Sequence, residues 1–148
     1  MVYECVHKTK NKRTGNSGLC AVKLDMHKAY DRVEWDFLRK MMMRLGLHQE
    51  WIDLVMACVT SVSYSVRFNS QMTDGFVPTR GIRQGNPLSP YLFLLCVEGL
   101  SSSLLHVEEI GGIEGVKVCR GAPSVSHLLF ADDSLILLKA DLNNAISL

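Results

Sequence analysis

Two carboxylates stand side by side in an apolar run, His127-Leu128-Leu129-Phe130-Ala131-Asp132-Asp133-Ser134-Leu135-Ile136-Leu137-Leu138. An ionised carboxylate in such a setting is costly unless a cation, a hydrogen-bond donor or a raised pKa offsets it. Aspartate is an ordinary turn residue, and the flanking runs have strand length, so a plain hairpin turning at Ala131-Asp132-Asp133-Ser134 is one reading. The chemical reading is a turn that holds a divalent metal at a cleft, and it requires another carboxylate on a neighbouring strand end. Asp25 meets that requirement. In Cys20-Ala21-Val22-Lys23-Leu24-Asp25-Met26 the period of two puts Val22, Leu24 and Met26 on one face and Ala21, Lys23 and Asp25 on the other. A pair of divalent ions about 3.5–4 Å apart, held by such acids, can clamp the attacking and leaving oxygens of an in-line phosphoryl displacement. Mg²⁺ suits this because it takes few protein carboxylates and leaves positions for substrate phosphates. The chemistry is nucleotidyl transfer or hydrolysis, with the choice open at this point.

The elements that must position these acids follow from periodicity. Residues 1 to 19 read as loop or periphery, with Asn16-Ser17-Gly18 as a turn. Asp31 and Glu34 have the spacing of a capping box, followed by Val33, Phe37, Met41 and Leu45 at helical spacing. A second helix is expected from about 49 to 59, burying Trp51, Leu54, Val55 and Cys58. From 61 to 69, Val62, Tyr64, Val66 and Phe68 alternate with Ser63, Ser65, Arg67 and Asn69, which predicts a half-buried strand. Asp74-Gly75 would turn it and Phe76-Val77 would return. Arg80 to Pro90 holds two glycines and two prolines and predicts a shaped loop entering a helix over 91 to 106. Val116 and Val118 mark a strand between Gly111 and Pro123. Residues from Asp141 begin like a helix that stops at Leu148, an ending that reads as truncated. The class is α+β, a small mostly antiparallel sheet with two or three helices packed on one face, in one domain spanning 1–148.

Composition narrows the setting. The 148 residues are 47% hydrophobic, enough for a core, and 16 basic against 15 acidic residues give a net charge of +1. Nothing in that balance draws the whole chain to nucleic acid or membrane. Local basic density falls at Lys8, Lys10, Lys12 and Arg13. Cys5, Cys20, Cys58, Cys96 and Cys119 lack Cys-x-x-Cys or zinc-ligand spacing, so free thiols in a reducing, intracellular compartment are expected. The N-terminus has no signal-peptide pattern, and the apolar runs read as too short and interrupted to cross a membrane.

The order of three segments adds a resemblance. Leu24-Asp25-Met26-His27-Lys28-Ala29-Tyr30-Asp31, then Arg83-Gln84-Gly85-Asn86-Pro87-Leu88-Ser89-Pro90-Tyr91-Leu92-Phe93, then Phe130-Ala131-Asp132-Asp133 resembles the palm of a reverse transcriptase of the plant non-long-terminal-repeat retrotransposon type. The resemblance implies an RNA-directed DNA polymerase using two Mg²⁺ ions, with Mn²⁺ as a possible substitute, and as partners an RNA template, a DNA primer and dNTP. It implies Asp25 and Asp132 as metal ligands, with Asp133 the third catalytic acid. Tyr30 would lie under the incoming sugar, where its ring leaves no room for a 2′-hydroxyl. Gln84 and Gly85 would touch the incoming nucleotide and its template base, since Gly permits close backbone approach and Gln both donates and accepts. Lys28 and Arg83 are candidate nucleic-acid contacts, while Asp31 is read as a helix cap. The family's fingers and thumb do not fit within the chain, so the resemblance implies a palm fragment with its ligands present and little activity alone. A catalytically inactive retroelement remnant is the alternative, and a two-metal nuclease would give Tyr30 and Gln84-Gly85 no role.

Overall fold

The computed structural model describes residues 18–117, 119 and 121–140. In chain order the elements are β1 (Gly18–Asp25), a single 3-10 turn (Tyr30–Arg32), α1 (Trp35–Arg44), α2 (Gln49–Thr60), β2 (Arg67–Phe68), β3 (Gln71–Met72), α3 (Ser89–Glu109), β4 (Val116–Lys117), β5 (Ser124–Val125), β6 (His127–Phe130) and β7 (Asp133–Ala140). The α+β class therefore holds. The chain divides into two compact units, one built from residues 18–27 with 98–140 among those described, the other from Lys28–Val97.

The first unit is organised on β7. It lies between β1 and β6 in an antiparallel sheet, paired with β1 over eight residues from Gly18↔Ala140 to Asp25↔Asp133. The run Leu135-Ile136-Leu137-Leu138 is apolar on both faces because both faces are covered. On one side Leu137 and Val116 pack with Leu19, Val125, Leu128 and Leu135; on the other Ile136, Leu138 and Ile113 pack with Val22 and with Leu104 and Val107 of α3. The apolar setting that makes adjacent acids look costly in the sequence is thus the strand interior, and the acids stand at its end.

In the second unit α1 and α2 are amphipathic, but their buried stripes are rotated from the expected ones. Val33, Leu38, Met41 and Met42 are buried, whereas Phe37 and Leu45 are exposed. On α2 the buried positions are Ile52, Val55 and Met56; Trp51, Leu54 and Cys58 face outward. Periodicity gives the stripe's width but not which edge of it meets a neighbour. The capping box does not form: Asp31 sits in the 3-10 turn, the chain extends at Val33 and Glu34, and Glu34 at the N-cap makes no side-chain cap bond. The carboxylate of Glu34 pairs instead with Arg80 at 3.2 Å.

The regular alternation from 61 to 69 yields little strand. Only Arg67–Phe68 pairs with Gln71–Met72, turning at Asn69-Ser70, both at positive φ, while Tyr64 and Phe76 form an isolated bridge. Asp74-Gly75 is not the turn between the paired strands. Phe68 is 72% exposed, so among the described residues no layer lies against this ribbon to bury its apolar face. Strand β1 begins at Gly18, within the stretch expected to be loop. Helix α3 starts at Ser89, two residues early, with Pro90 in its first turn, where proline is tolerated. At 21 residues it has the length and apolarity of a membrane span, contrary to the sequence expectation, because it runs past His106 to Glu109. Its Leu92, Phe93 and Val97 are buried in the fold. Cys96 is half-buried, and burial pushes its thiol up to about 11. Val118, the basic stretch at 8–13, Cys5 and the helix expected after Asp141 lie outside the described residues.

Candidate active site

The hairpin that carries Asp132 and Asp133 is held by its own register. Phe130 pairs with Asp133, leaving Ala131 and Asp132 as the two-residue turn. Ala131 occupies positive φ (51°), a region that costs an L-residue roughly 1–2 kcal/mol. The turn is therefore forced by the ladder on either side. Asp25 lies directly opposite Asp133 at the end of the β1–β7 pairing. Opposed antiparallel residues have Cβ atoms about 5 Å apart, so these carboxylates share one face and one edge. Just beyond, Met26 N–H donates to the Asp132 carbonyl at 3.3 Å and His27 N–H to the Asp25 carbonyl at 3.1 Å, which draws the strand end onto the turn. Asp25 and Asp132 are exposed and Asp133 is half-buried.

One of the three acids at this strand end has a cation beside it. Lys23, two residues before Asp25 and so on the same face, places Nζ 2.9 Å from Asp133 Oδ1. That hydrogen bond and the charge of Asp133, with smaller contributions from Asp25 and Asp132, hold the Lys23 ammonium above its ordinary range. Sequence reading set Lys23 beside Asp25 without giving it a role; its signal was the period of two.

The donor chemistry of Asp25 and Asp132 suits a hard divalent cation, being all carboxylate oxygen, one from a strand end and one from the adjoining turn. Among the described residues no group of three or more His, Cys, Asp or Glu is placed to hold a metal ion, so the three acids do not converge as a single ligand set. An open pair of carboxylates is the arrangement Mg²⁺ uses when substrate phosphates complete its shell. His127, close in sequence, is engaged elsewhere: its ring lies 2.9 Å from Ser101 Oγ and 3.1 Å from Ser126 Oγ.

The remaining candidates gather in the second unit. Tyr30 is fixed by a near-parallel stack on Phe93, with ring centroids 5.1 Å apart. Its carbonyl accepts from Ile82 N–H at 2.9 Å, while Val33 O accepts from Gly81 N–H at 2.8 Å, so the segment after Asp25 and the Arg80 to Pro90 loop are laced together. Trp35 Nε1 donates to Gly81 O at 2.7 Å and completes the lacing. Gly81 sits at φ +90°, and a Cβ there would lie 3.1 Å from the Asp31 carbonyl oxygen, so both the conformation and the space demand glycine. These clamps, Trp35 and Gly81, were missed in the sequence because each works through backbone atoms of a distant segment.

The loop's far end is folded by small polar contacts. Ser89 Oγ donates to Arg83 O at 2.6 Å, and Asn86 Oδ1 accepts from Leu88 N–H at 2.9 Å. Between these anchors Gln84 and Gly85 are exposed, with Gly85 at φ +81° and open space around it. A cavity of about 570 Å³ opens beside the loop, lined in part by Asp31, Tyr64, Arg80, Arg83, Gln84 and Asn86. Lys28 is exposed at positive φ (53°). Asp25, Asp132 and Asp133 thus come together in one unit, and Tyr30, Arg83, Gln84 and Gly85 belong to the other.

The first unit offers a strand-end cluster of acids, and the second a glycine-bearing loop and a stacked tyrosine, the residue types that the resemblance associates with nucleotidyl transfer. The sequence profile of the reverse transcriptase (RNA-dependent DNA polymerase) family matches residues 3–147, and the chain belongs to that family. It is 28% identical over 137 residues to a retrovirus-related Pol polyprotein from the type-1 retrotransposable element R2 of Popillia japonica, covering 93% of this chain and 22% of that protein. It is 53% identical over 57 residues to an uncharacterized mitochondrial protein of Arabidopsis thaliana, covering 38% of this chain and 47% of that one. Kinship with non-long-terminal-repeat retrotransposon polyproteins is thereby borne out. Among solved structures, apo telomerase from Candida tropicalis, truncated from its C-terminal domain, superposes with a TM-score of 0.65 at 16% identity over 99% of this chain and 28% of that chain. That likeness concerns the fold. The chain spans about a fifth of the Popillia polyprotein.

Proposed function

We propose that this chain is the palm portion of an RNA-directed DNA polymerase, joining deoxynucleotides from dNTP to a primer 3′-hydroxyl on an RNA template. The observation that carries the reading is the register: Asp25 opposite Asp133, with Asp132 in the adjoining turn, in a chain of the reverse transcriptase family. Asp25 and Asp132 would hold Mg²⁺, and Asp133 would stand beside them as the third acid. Bound there, two divalent ions would neutralise the charge that develops on the attacking and leaving oxygens.

The protein's own part is positioning, which supplies much of the acceleration in phosphoryl transfer. The stack on Phe93 orients the Tyr30 ring, which suits a surface meant to exclude a sugar 2′-hydroxyl. Gly85 lets the backbone approach a nucleotide closely, and Gln84 offers donor and acceptor atoms to a base edge. Lys28 and Arg83 are exposed cations suited to backbone phosphates of template or primer. The four cysteines among the described residues are free thiols, which supports a reducing intracellular setting.

Primer extension on an RNA template, with Mg²⁺ and with Asp132→Asn as the comparison, tests the reading. Mg²⁺-dependent extension that falls at least about a hundredfold in Asp132→Asn is the expected result, since the variant loses a ligand used throughout the reaction. Equal incorporation by the variant overturns the assignment. If neither extends, the thermal midpoint decides between a metal-competent palm portion and a silent remnant. Mg²⁺ raises the midpoint of the wild type but not of Asp25→Asn in the first case and of neither in the second.

A further inference from the structure

The acids of the first unit are not equally available. Among the described residues Asp25 and Asp132 have no ion pair, whereas Asp133 is paired with Lys23 at 2.9 Å. The pairing is diagonal across β1 and β7, because Lys23 lies opposite Leu135 and Asp25 opposite Asp133. Both partners remain open to water, with 63% of the Lys23 side chain and 46% of that of Asp133 exposed. A pair so exposed contributes only modestly to stability. Its position is more informative than its strength. Lys23 brings an ammonium to the strand end that carries all three acids, held chiefly by Asp133 and more weakly by the charges of Asp25 and Asp132. With that ammonium in place the corner keeps two uncompensated negative charges, the amount one divalent ion neutralises.

We propose that Lys23 is a positioning residue, a resident counter-cation that occupies Asp133 in the substrate-free protein and lowers the affinity of the Asp25–Asp132 corner for divalent metal. Metal loading is then weak until a triphosphate brings further negative charge and its own bound cation. The proposal rests on the metal-ligand reading of Asp25 and Asp132 and deepens it.

The test is a titration of the 148-residue chain with Mn²⁺, without nucleotide, following free Mn²⁺ by electron paramagnetic resonance. Lys23→Gln is expected to bind Mn²⁺ about threefold more tightly than the wild type, the scale of an exposed charge pair. Lys23→Arg, which keeps the charge, is expected to match the wild type. In metal-free buffer the thermal midpoint of Lys23→Gln falls below that of the wild type, and saturating Mn²⁺ closes the gap. A lysine with a purely structural role would lower both midpoints alike and leave the affinity unchanged. Unchanged or weaker Mn²⁺ binding in Lys23→Gln, with binding still abolished by Asp25→Asn, overturns the proposal alone. Binding that survives Asp25→Asn overturns the ligand assignment and the proposal with it.

Discussion

The edge that carries Asp25, Asp132 and Asp133 and the loop that carries Gln84 and Gly85 solve the same problem in different ways. The acids stand at the end of a ladder in which eight consecutive residues of β1 pair with β7, and β7 is packed on both faces. Their placement is set collectively, so no single contact near the acids is indispensable. The loop has no ladder. It is held by a handful of separate contacts, chiefly Gly81 N–H to Val33 O, Ile82 N–H to Tyr30 O, Trp35 Nε1 to Gly81 O, and Ser89 Oγ to Arg83 O. A geometry fixed by cooperative burial tolerates local change near the site and fails through its core. A geometry fixed by individual clamps fails one clamp at a time.

Substitutions of decreasing effect separate these two modes. Leu137, fully buried at the centre of β7, anchors the ladder. Leu137→Ala is expected to cost about 2–5 kcal/mol of stability by removing packed atoms and leaving a cavity, read as a fall in the denaturant midpoint. An effect under about 1 kcal/mol would mean that β7 is not the collective support described.

Gly81→Ala comes next. It forces an alanine to φ +90° against the Asp31 backbone, at an expected cost of about 2 kcal/mol. Its signature should be local, with amide exchange accelerated at Ile82 and in the Arg83 to Asn86 loop while the β7 amides of the first unit stay protected. Equal loss of protection in both places would break the contrast.

The smallest effect is expected at the acidic turn. Ala131→Gly removes the positive-φ strain and should raise stability by about 0.5–1 kcal/mol, measured as an upward shift in midpoint. A loss of stability would show that the Ala131 methyl makes a contact outweighing that strain.

Much of this was legible in the chain. The acids Asp132 and Asp133 announced themselves by chemistry out of place in an apolar run, and Asp25 by its position on the polar face of a period-two strand. The glycines and prolines from Arg80 to Pro90 marked a shaped loop leading to a helix, and the helix is there. Other signals misled for identifiable reasons. Asp31 and Glu34 have capping-box spacing, yet Glu34 spends its charge on Arg80, a long-range partner that no local pattern names. Val62, Tyr64, Val66 and Phe68 alternate as a strand should, but alternation produces a half-buried strand only where a layer exists to cover one face. On α2 the hydrophobic stripe admitted Trp51 and Leu54 at one edge or Ile52 and Met56 at the other, and burial chose the second pair.

The sequence alone determined the local chemistry: which carboxylates exist, which strand face Asp25 occupies, and where glycines and prolines shape a loop that opens a helix. Those properties depend on residue type and on spacings of a few residues, which the chain carries in itself. Tertiary structure decided the rest. It set Asp25 opposite Asp133 and no other residue, gave Asp133 to Lys23, and pressed Gly81 against Asp31. Each of these joins segments distant in the chain or fixes one register among several. Such choices are settled only when the segments pack together, because β7 is apolar on both faces and its own pattern does not name one register.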